Sequence, residues 1–76
     1  MEKIETNIKT EYIKLDQLLK FSGLAESGSD AKDMILCEMV SVNGEKCVMR
    51  GKKIRSGDKV TVEFEDETVI INVGNE

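Results

Sequence analysis

The chain has 76 residues, of which 39% are hydrophobic and 34% are charged, and its formal net charge is −4 at pH 7. This composition is typical of a compact soluble domain and is too apolar for a disordered segment. No apolar run approaches the ~20 residues that a membrane-spanning helix requires. Residues 1–5 lack the basic and apolar regions of a signal peptide. We therefore expect a cytoplasmic protein in which residues 1–76 form one domain.

The first half of the chain predicts one strand followed by two short helices. Apolar and polar residues alternate over positions 4–9, which is the period of a strand, and we place this strand at a sheet edge. Leucines at helical spacing predict a first helix over about 14–21, ended by Gly23. A second helix is expected to begin at Ser29, whose hydroxyl can accept a bond from a free backbone N–H group.

The second half of the chain predicts antiparallel strands, because the period of its apolar residues changes to two from position 40. Asn43-Gly44 is a strong hairpin signal, since both residues tolerate positive φ, and the return strand is expected from about Val48. A basic loop over 51–57 and two further strands over about 60–73 follow. This order of elements predicts an α+β fold in which two short helices pack on a small, mainly antiparallel curled sheet.

The aromatic residues and the cysteines allow more specific predictions. Phe21 and Phe64 are expected in the core, whereas Tyr12 is expected to be partly exposed. Cys37 is predicted to be a packed thiol and Cys47 a loop thiol, without a disulfide between them. A zinc site normally takes four ligands and the chain has no histidine, so no metal site is expected.

The sequence contains no recognisable catalytic constellation. The absence of histidine removes the commonest general base and excludes Cys–His and Ser–His nucleophile pairs. No glycine-rich loop is followed by the Lys-Ser or Lys-Thr pair of a phosphate-binding loop. We therefore expect a protein that is not an enzyme and that takes no cofactor and no small-molecule substrate.

The basic residues are concentrated in one segment. Six of the eleven lie between positions 46 and 59, where Asp58 is the one acid, so this segment carries +5; the remaining five bases and fourteen acids carry −9. Such a segment can contact phosphates even in an acidic chain, although a solubilising loop explains the composition equally well. Helix N-termini also attract anions, which adds two lysines near the predicted helix starts. The candidate phosphate-binding residues are Lys14, Lys32, Arg50, Lys52, Lys53 and Arg55.

Several short runs, taken in order, resemble the S-four (S4) RNA-binding domain, a family named after a small-subunit ribosomal protein. The resemblance covers about positions 12–62, and the chain is similar to small stand-alone bacterial members. The runs that carry it are Lys14–Leu19, Gly23-Leu24, Ser27–Ile35, Val40–Gly44 and Gly57-Asp58. The resemblance implies core positions at Leu15, Leu18, Ala31, Ile35, Val40 and Val42.

The resemblance also implies roles for individual cations. Lys14 stands at the RNA-facing start of the first helix, Lys32 on an RNA-facing second helix, and Lys52 and Lys53 in the basic loop after the hairpin. Two positions depart from the family pattern. Many members have Arg at the position of Gly28 and Gly at the position of Glu38, so the first departure removes a phosphate contact and the second alters the end of the second helix.

The expected function is that of a non-catalytic, monomeric RNA-binding module that contacts structured ribosomal RNA or a ribosomal subunit. The alternative is a protein–protein interaction module that uses the acidic surface. A sulfur carrier of the ubiquitin-like class is disfavoured, because such carriers need a C-terminal Gly-Gly and this chain ends in Val73-Gly74-Asn75-Glu76.

Overall fold

The computed structural model describes residues 1–75, which form two helices and two sheets. The larger sheet has the strand order β1-β7-β6-β3-β4, and the smaller one pairs β2 with β5. β1 runs parallel to β7 and the other strand pairs are antiparallel, which confirms the predicted α+β class. In chain order the elements are β1 (Glu2–Ile8), β2 (Ile13–Lys14), α1 (Leu15–Phe21), α2 (Gly28–Leu36), β3 (Val40–Val42), β4 (Glu45–Lys46), β5 (Lys53–Ile54), β6 (Lys59–Glu63) and β7 (Thr68–Asn75).

Helices and strands bury their apolar side chains in one common cluster. In β6, for example, Val60 and Val62 are fully buried while Lys59 and Glu63 are exposed, as the alternation of a strand requires. The six core positions implied by the family resemblance are all buried. The cluster consists of Ile8, Leu15, Leu18, Leu19, Ala25, Ala31, Ile35, Val40, Val42, Ile54, Val60, Val62, Ile71 and Val73.

α1 matches its predicted range closely, but the prediction for Phe21 is wrong. The helix ends at Phe21, and Gly23 then adopts a positive φ of 86°, as expected of a glycine that terminates a helix. Phe21 is 66% exposed. With about 3.6 residues per turn, Phe21 lies outside the buried stripe that the leucines of α1 form. Phe64 is half-buried and packs against the core.

The N-cap of α2 is Ser27 and not Ser29. The backbone N–H of Asp30 donates to Ser27 Oγ at 3.2 Å, and the helix begins at Gly28. The helix ends at Leu36, and Glu38 follows with a φ of 60°. The position at which many family members have glycine therefore keeps the left-handed conformation here, with a glutamate in it.

The Asn43-Gly44 turn is confirmed, with φ angles of 52° and 88°. The return strand is β4, however, so the prediction of a strand from Val48 is wrong, and Val48 is 50% exposed. The segment over 51–57 contains β5, which pairs with β2, and is therefore not entirely a loop. Ile54 of β5 is fully buried, so this segment is tied to the core.

The two cysteines are unpaired, but the prediction that Cys37 is a packed thiol is wrong, since Cys37 is exposed at the end of α2. Cys47 lies in the loop after β4, as predicted, where it is half-buried and packs against the core. The Sγ of Cys47 donates a weak hydrogen bond to the carbonyl of Met49 at 3.6 Å. Within residues 1–75, neither helix has the length and apolar composition to cross a membrane.

Candidate RNA-binding interface

The first turn of α1 is capped by the backbone of residues 50–57, the segment that we call the basic loop from here on. The N–H of Leu15 donates to the carbonyl of Lys52 at 2.9 Å, and the N–H of Asp16 donates to the carbonyl of Arg50 at 3.1 Å. The next N–H, that of Gln17, donates to Asp16 Oδ1 at 2.8 Å. These hydrogen bonds pair backbone N–H groups that have no partner within the helix because they lie in its first turn. The expectation that free N–H groups beside Lys14 attract an anion is therefore wrong.

The pairing of β2 with β5 places two lysines opposite each other. Lys14 is the direct partner of Lys53, and Ile13 is the partner of the buried Ile54. Side chains of directly paired residues in an antiparallel ladder lie side by side on one face, and like charges in that arrangement repel each other. The fold thus places two lysine side chains on one exposed face of the strand pair.

An aromatic ring orients one of these lysines. The Nζ of Lys53 lies 4.9 Å from the centroid of the Tyr12 ring. A cation over the face of a ring is attracted by the ring quadrupole, by roughly 0.5–1 kcal/mol at an exposed site. Tyr12 directly precedes β2, so the same strand pair brings ring and cation together. The sequence offered no local signal for this contact, because the two positions are 41 residues apart in the sequence.

The end of the basic loop is held by Asp58 and Asn43. Asp58 Oδ2 accepts a hydrogen bond from the N–H of Arg55 at 2.8 Å, and Asp58 Oδ1 accepts one from Asn43 Nδ2 at 3.2 Å. Both carboxylate oxygens are thus bound to N–H donors of the protein. The guanidinium of Arg55 has no ion-pair partner within residues 1–75.

A shallow depression of about 580 Å³ separates the hairpin from the basic loop. Its lining residues include Val48 and Met49 from the chain after β4, together with Lys52, Lys53 and Arg55. Lys46 also lines it, but the Nζ of Lys46 donates to the carbonyl of Glu38 at 2.6 Å and lies 3.9 Å from Glu63 Oε2. Lys46 is therefore partly neutralised, in contrast to the cations of the basic loop.

The predicted site residues fall into two groups. Lys14, Arg50, Lys52, Lys53 and Arg55 lie on the joined β2–β5 pair and basic loop, and we call this set the basic surface. Lys32 lies in the middle of α2, is exposed, and among residues 1–75 shares no hydrogen bond or ion pair with the basic surface. The prediction that Lys32 lies near the start of its helix is therefore wrong, since it is the fifth residue of α2.

These features define a small α+β domain whose cationic loop is fixed to the start of its first helix. The chain belongs to the S4 domain family, whose model matches residues 6–72. A curated relative is the probable ribosome maturation protein RlbA of Bacillus subtilis (strain 168). It is 36% identical over 66 residues, which cover 87% of this chain and 93% of the relative. The resemblance stated from the sequence is therefore confirmed.

Proposed function

We propose that this protein is a cytoplasmic, monomeric, non-catalytic module that binds structured RNA, either ribosomal RNA or a ribosomal subunit, through the basic surface. Membership of the S4 domain family and the name of the Bacillus relative support a ribosome-associated role. The observation that carries the proposal is the pairing of Lys14 with Lys53 on an exposed strand pair. Neither lysine has an ion-pair partner within residues 1–75.

The pairing of these lysines favours an anionic partner. Two lysines on one exposed face of a strand pair raise the local positive potential, which attracts a phosphate. Arg50 and Arg55 add guanidinium groups, which bind phosphate with two parallel hydrogen bonds. A backbone phosphate therefore gains more on this surface than on isolated lysines.

The backbone of the basic loop is ordered before RNA binds. The carbonyls of Arg50 and Lys52 accept hydrogen bonds from α1, and the buried Ile54 anchors the adjoining strand. RNA binding then has to order the side chains but not the backbone of the loop. Because less conformational entropy is lost than in a loop that orders on binding, more of the interaction energy contributes to affinity. We include Lys32 as a separate, peripheral contact on α2, as its place in the family pattern implies.

The salt dependence of RNA binding tests the proposal. Phosphate contacts release counterions, so affinity for ribosomal RNA fragments should fall as salt rises. The Lys52→Ala/Lys53→Ala variant should bind more weakly and flatten the slope of log affinity against log salt by roughly 1–2. Lys3→Ala/Lys20→Ala is the matched control, because it removes the same charge from exposed positions outside the basic surface and should leave the slope nearly unchanged.

Co-sedimentation with ribosomal subunits extends the test to the natural assembly. The wild-type protein should sediment with subunits at low salt and be released at high salt, while the Lys52→Ala/Lys53→Ala variant should be released earlier. Binding that is absent, or that does not depend on salt, contradicts the proposal.

The second candidate function is a protein-interaction module, which is favoured by the charge of −9 outside positions 46–59. This candidate predicts a partner that remains associated after nuclease treatment and that dissociates when surface acids, rather than lysines, are replaced. The RNA proposal predicts instead that nuclease treatment releases the protein from its complex. It also predicts that replacing lysines, rather than acids, weakens the complex.

A further inference from the structure

Two consecutive apolar side chains are exposed beside the basic surface. Val48 is 50% exposed and Met49 is 63% exposed, and both line the depression that also contains Lys52, Lys53 and Arg55. Neither belongs to the buried core or to the half-buried residues packed against it. Folding therefore does not explain their apolar character, whereas neighbouring exposed apolar side chains commonly mark a binding surface.

The backbone holds this apolar pair in a defined position. The N–H of Cys47 donates to the carbonyl of Val40 at 3.0 Å, which ties the segment to β3. The carbonyl of Met49 accepts from the N–H of Lys52 at 3.1 Å and from Cys47 Sγ at 3.6 Å. The same turn that presents Met49 thus also presents Lys52, so an apolar contact and a phosphate contact are available to one ligand.

We propose that Val48 and Met49 cover an unpaired nucleobase of the RNA, while the phosphates flanking that nucleotide lie on Lys52 and Arg55. This inference rests on the proposed RNA binding and specifies the RNA class as a stem that carries an unpaired nucleotide, in preference to a continuous duplex. In a duplex the base faces are stacked inside, and only phosphates, 2′-hydroxyls and base edges are accessible. An apolar side chain gains little from those polar groups, but it gains from covering or wedging against an unstacked base.

The charge around the pair favours a nucleic acid over a protein partner. The depression is lined by two acids, Glu45 and Asp58, and by four cations, so its lining carries a net charge of +2. Three of the cations, Lys52, Lys53 and Arg55, have no ion-pair partner within residues 1–75. An unpaired nucleotide offers an apolar face and an adjacent negative charge within one residue, which matches this arrangement. Tyr12 is already in contact with Lys53, so the aliphatic side chains take the place of the aromatic platform that single-strand binders commonly use.

The test compares two RNA hairpins that are identical except for one unpaired nucleotide in the stem. The wild-type protein should bind the bulged hairpin more tightly, by roughly fivefold to tenfold, because apolar area is buried only there. The Val48→Thr/Met49→Gln variant keeps side-chain size and should lose most of that preference. The salt slope for either hairpin should stay unchanged, since no phosphate contact is removed.

Phe21→Gln is the matched control, because Phe21 is also exposed but lies at the far end of α1 from the basic loop. It should retain the preference for the bulged hairpin. The single variant Met49→Gln, with thermal unfolding measured in parallel, separates loss of a contact from loss of the fold. Because all three positions are exposed, each variant should unfold near the wild-type temperature.

The possible results distinguish this inference from the proposed function. Equal wild-type affinity for the two hairpins, with normal salt dependence, overturns the inference and leaves RNA binding in place. A preference that persists in Val48→Thr/Met49→Gln, or a variant that changes the salt slope, also overturns it. If neither RNA binds and the variant instead loses a nuclease-resistant protein partner, the inference and the proposed function fail together.

Discussion

Asn43 and Asp58 join two turns that lie 15 residues apart in the chain. Asn43 Nδ2 donates to Asp58 Oδ1 at 3.2 Å, while Asn43 Oδ1 accepts from the N–H of Lys59 at 2.9 Å. Asp58 also binds the N–H of Arg55 at 2.8 Å. One amide side chain thus links the hairpin turn to the end of the basic loop, and its backbone occupies the left-handed region at φ 52°.

Replacement of Asn43 by alanine should lower the free energy of unfolding by about 2 kcal/mol, because it removes two hydrogen bonds and strains a positive φ. Asn43→Gly removes the same bonds without the strain and should cost about 1 kcal/mol. Urea denaturation followed by circular dichroism measures both. Equal stability of Asn43→Ala and the wild type would show that the contact between Asn43 and Asp58 does not contribute to the free energy of unfolding.

Replacement of Glu38 by glycine should stabilise the protein by roughly 0.5–1 kcal/mol, because Glu38 has a φ of 60° that glycine adopts without a steric penalty. The control is Glu38→Ala, which removes the same charge and keeps the strained backbone, and which should not stabilise. The midpoints of urea denaturation of the wild type, Glu38→Gly and Glu38→Ala measure these differences in stability. If alanine stabilises as much as glycine, charge rather than backbone conformation is responsible.

Replacement of Gly28 by arginine should strengthen RNA binding and steepen the salt slope by about 1. The position tolerates a side chain, since nothing lies within 4 Å of a Cβ placed there. Gly28→Gln adds a side chain of similar length without charge and serves as the control. Filter binding at a series of salt concentrations measures the slope; identical slopes for the two variants would place Gly28 outside the interface.

Replacement of Tyr12 by leucine should weaken RNA binding about twofold to fivefold, because the ring no longer holds the ammonium of Lys53 in place. Tyr12→Phe preserves the ring and should bind like the wild type. The RNA titrations are made at one fixed salt concentration. A loss in Tyr12→Phe equal to that in Tyr12→Leu would point to the hydroxyl group and against the ring.

Most of the fold was predictable from local patterns, because periodicity and turn residues act over short distances. The leucine spacing of α1 and the Asn43-Gly44 turn are of this kind. The N-cap error was avoidable: Ser27 is followed three residues later by Asp30, and that spacing is a capping signal. Ser29 has a residue type that is common at N-caps, but no acidic residue follows it at the spacing of that signal.

The geometry of the basic surface was not predictable in this way. β2 and β5 have two residues each, so neither is long enough to show the alternating pattern of a strand. They also pair with each other although Ile13 and Ile54 lie far apart in the sequence. The occupied N–H groups of α1 also depend on carbonyls that lie more than 30 residues away along the sequence. Residue types identified the cations, but only long-range pairing places Lys14 beside Lys53.

The parallel pairing of β1 with β7 has a consequence for biosynthesis. The partners run from Glu2 with Val69 to Ile8 with Asn75, so each residue of β1 pairs with one that lies 67 positions further along the chain. During translation β1 has no partner until the residues of β7 have left the ribosome, since contacts of long sequence separation form late. Glu2, Lys3 and Glu5 are exposed on β1, which lies at the edge of the sheet. Charged side chains on an edge strand oppose its pairing with another chain, and we expect the same effect before β7 is synthesised.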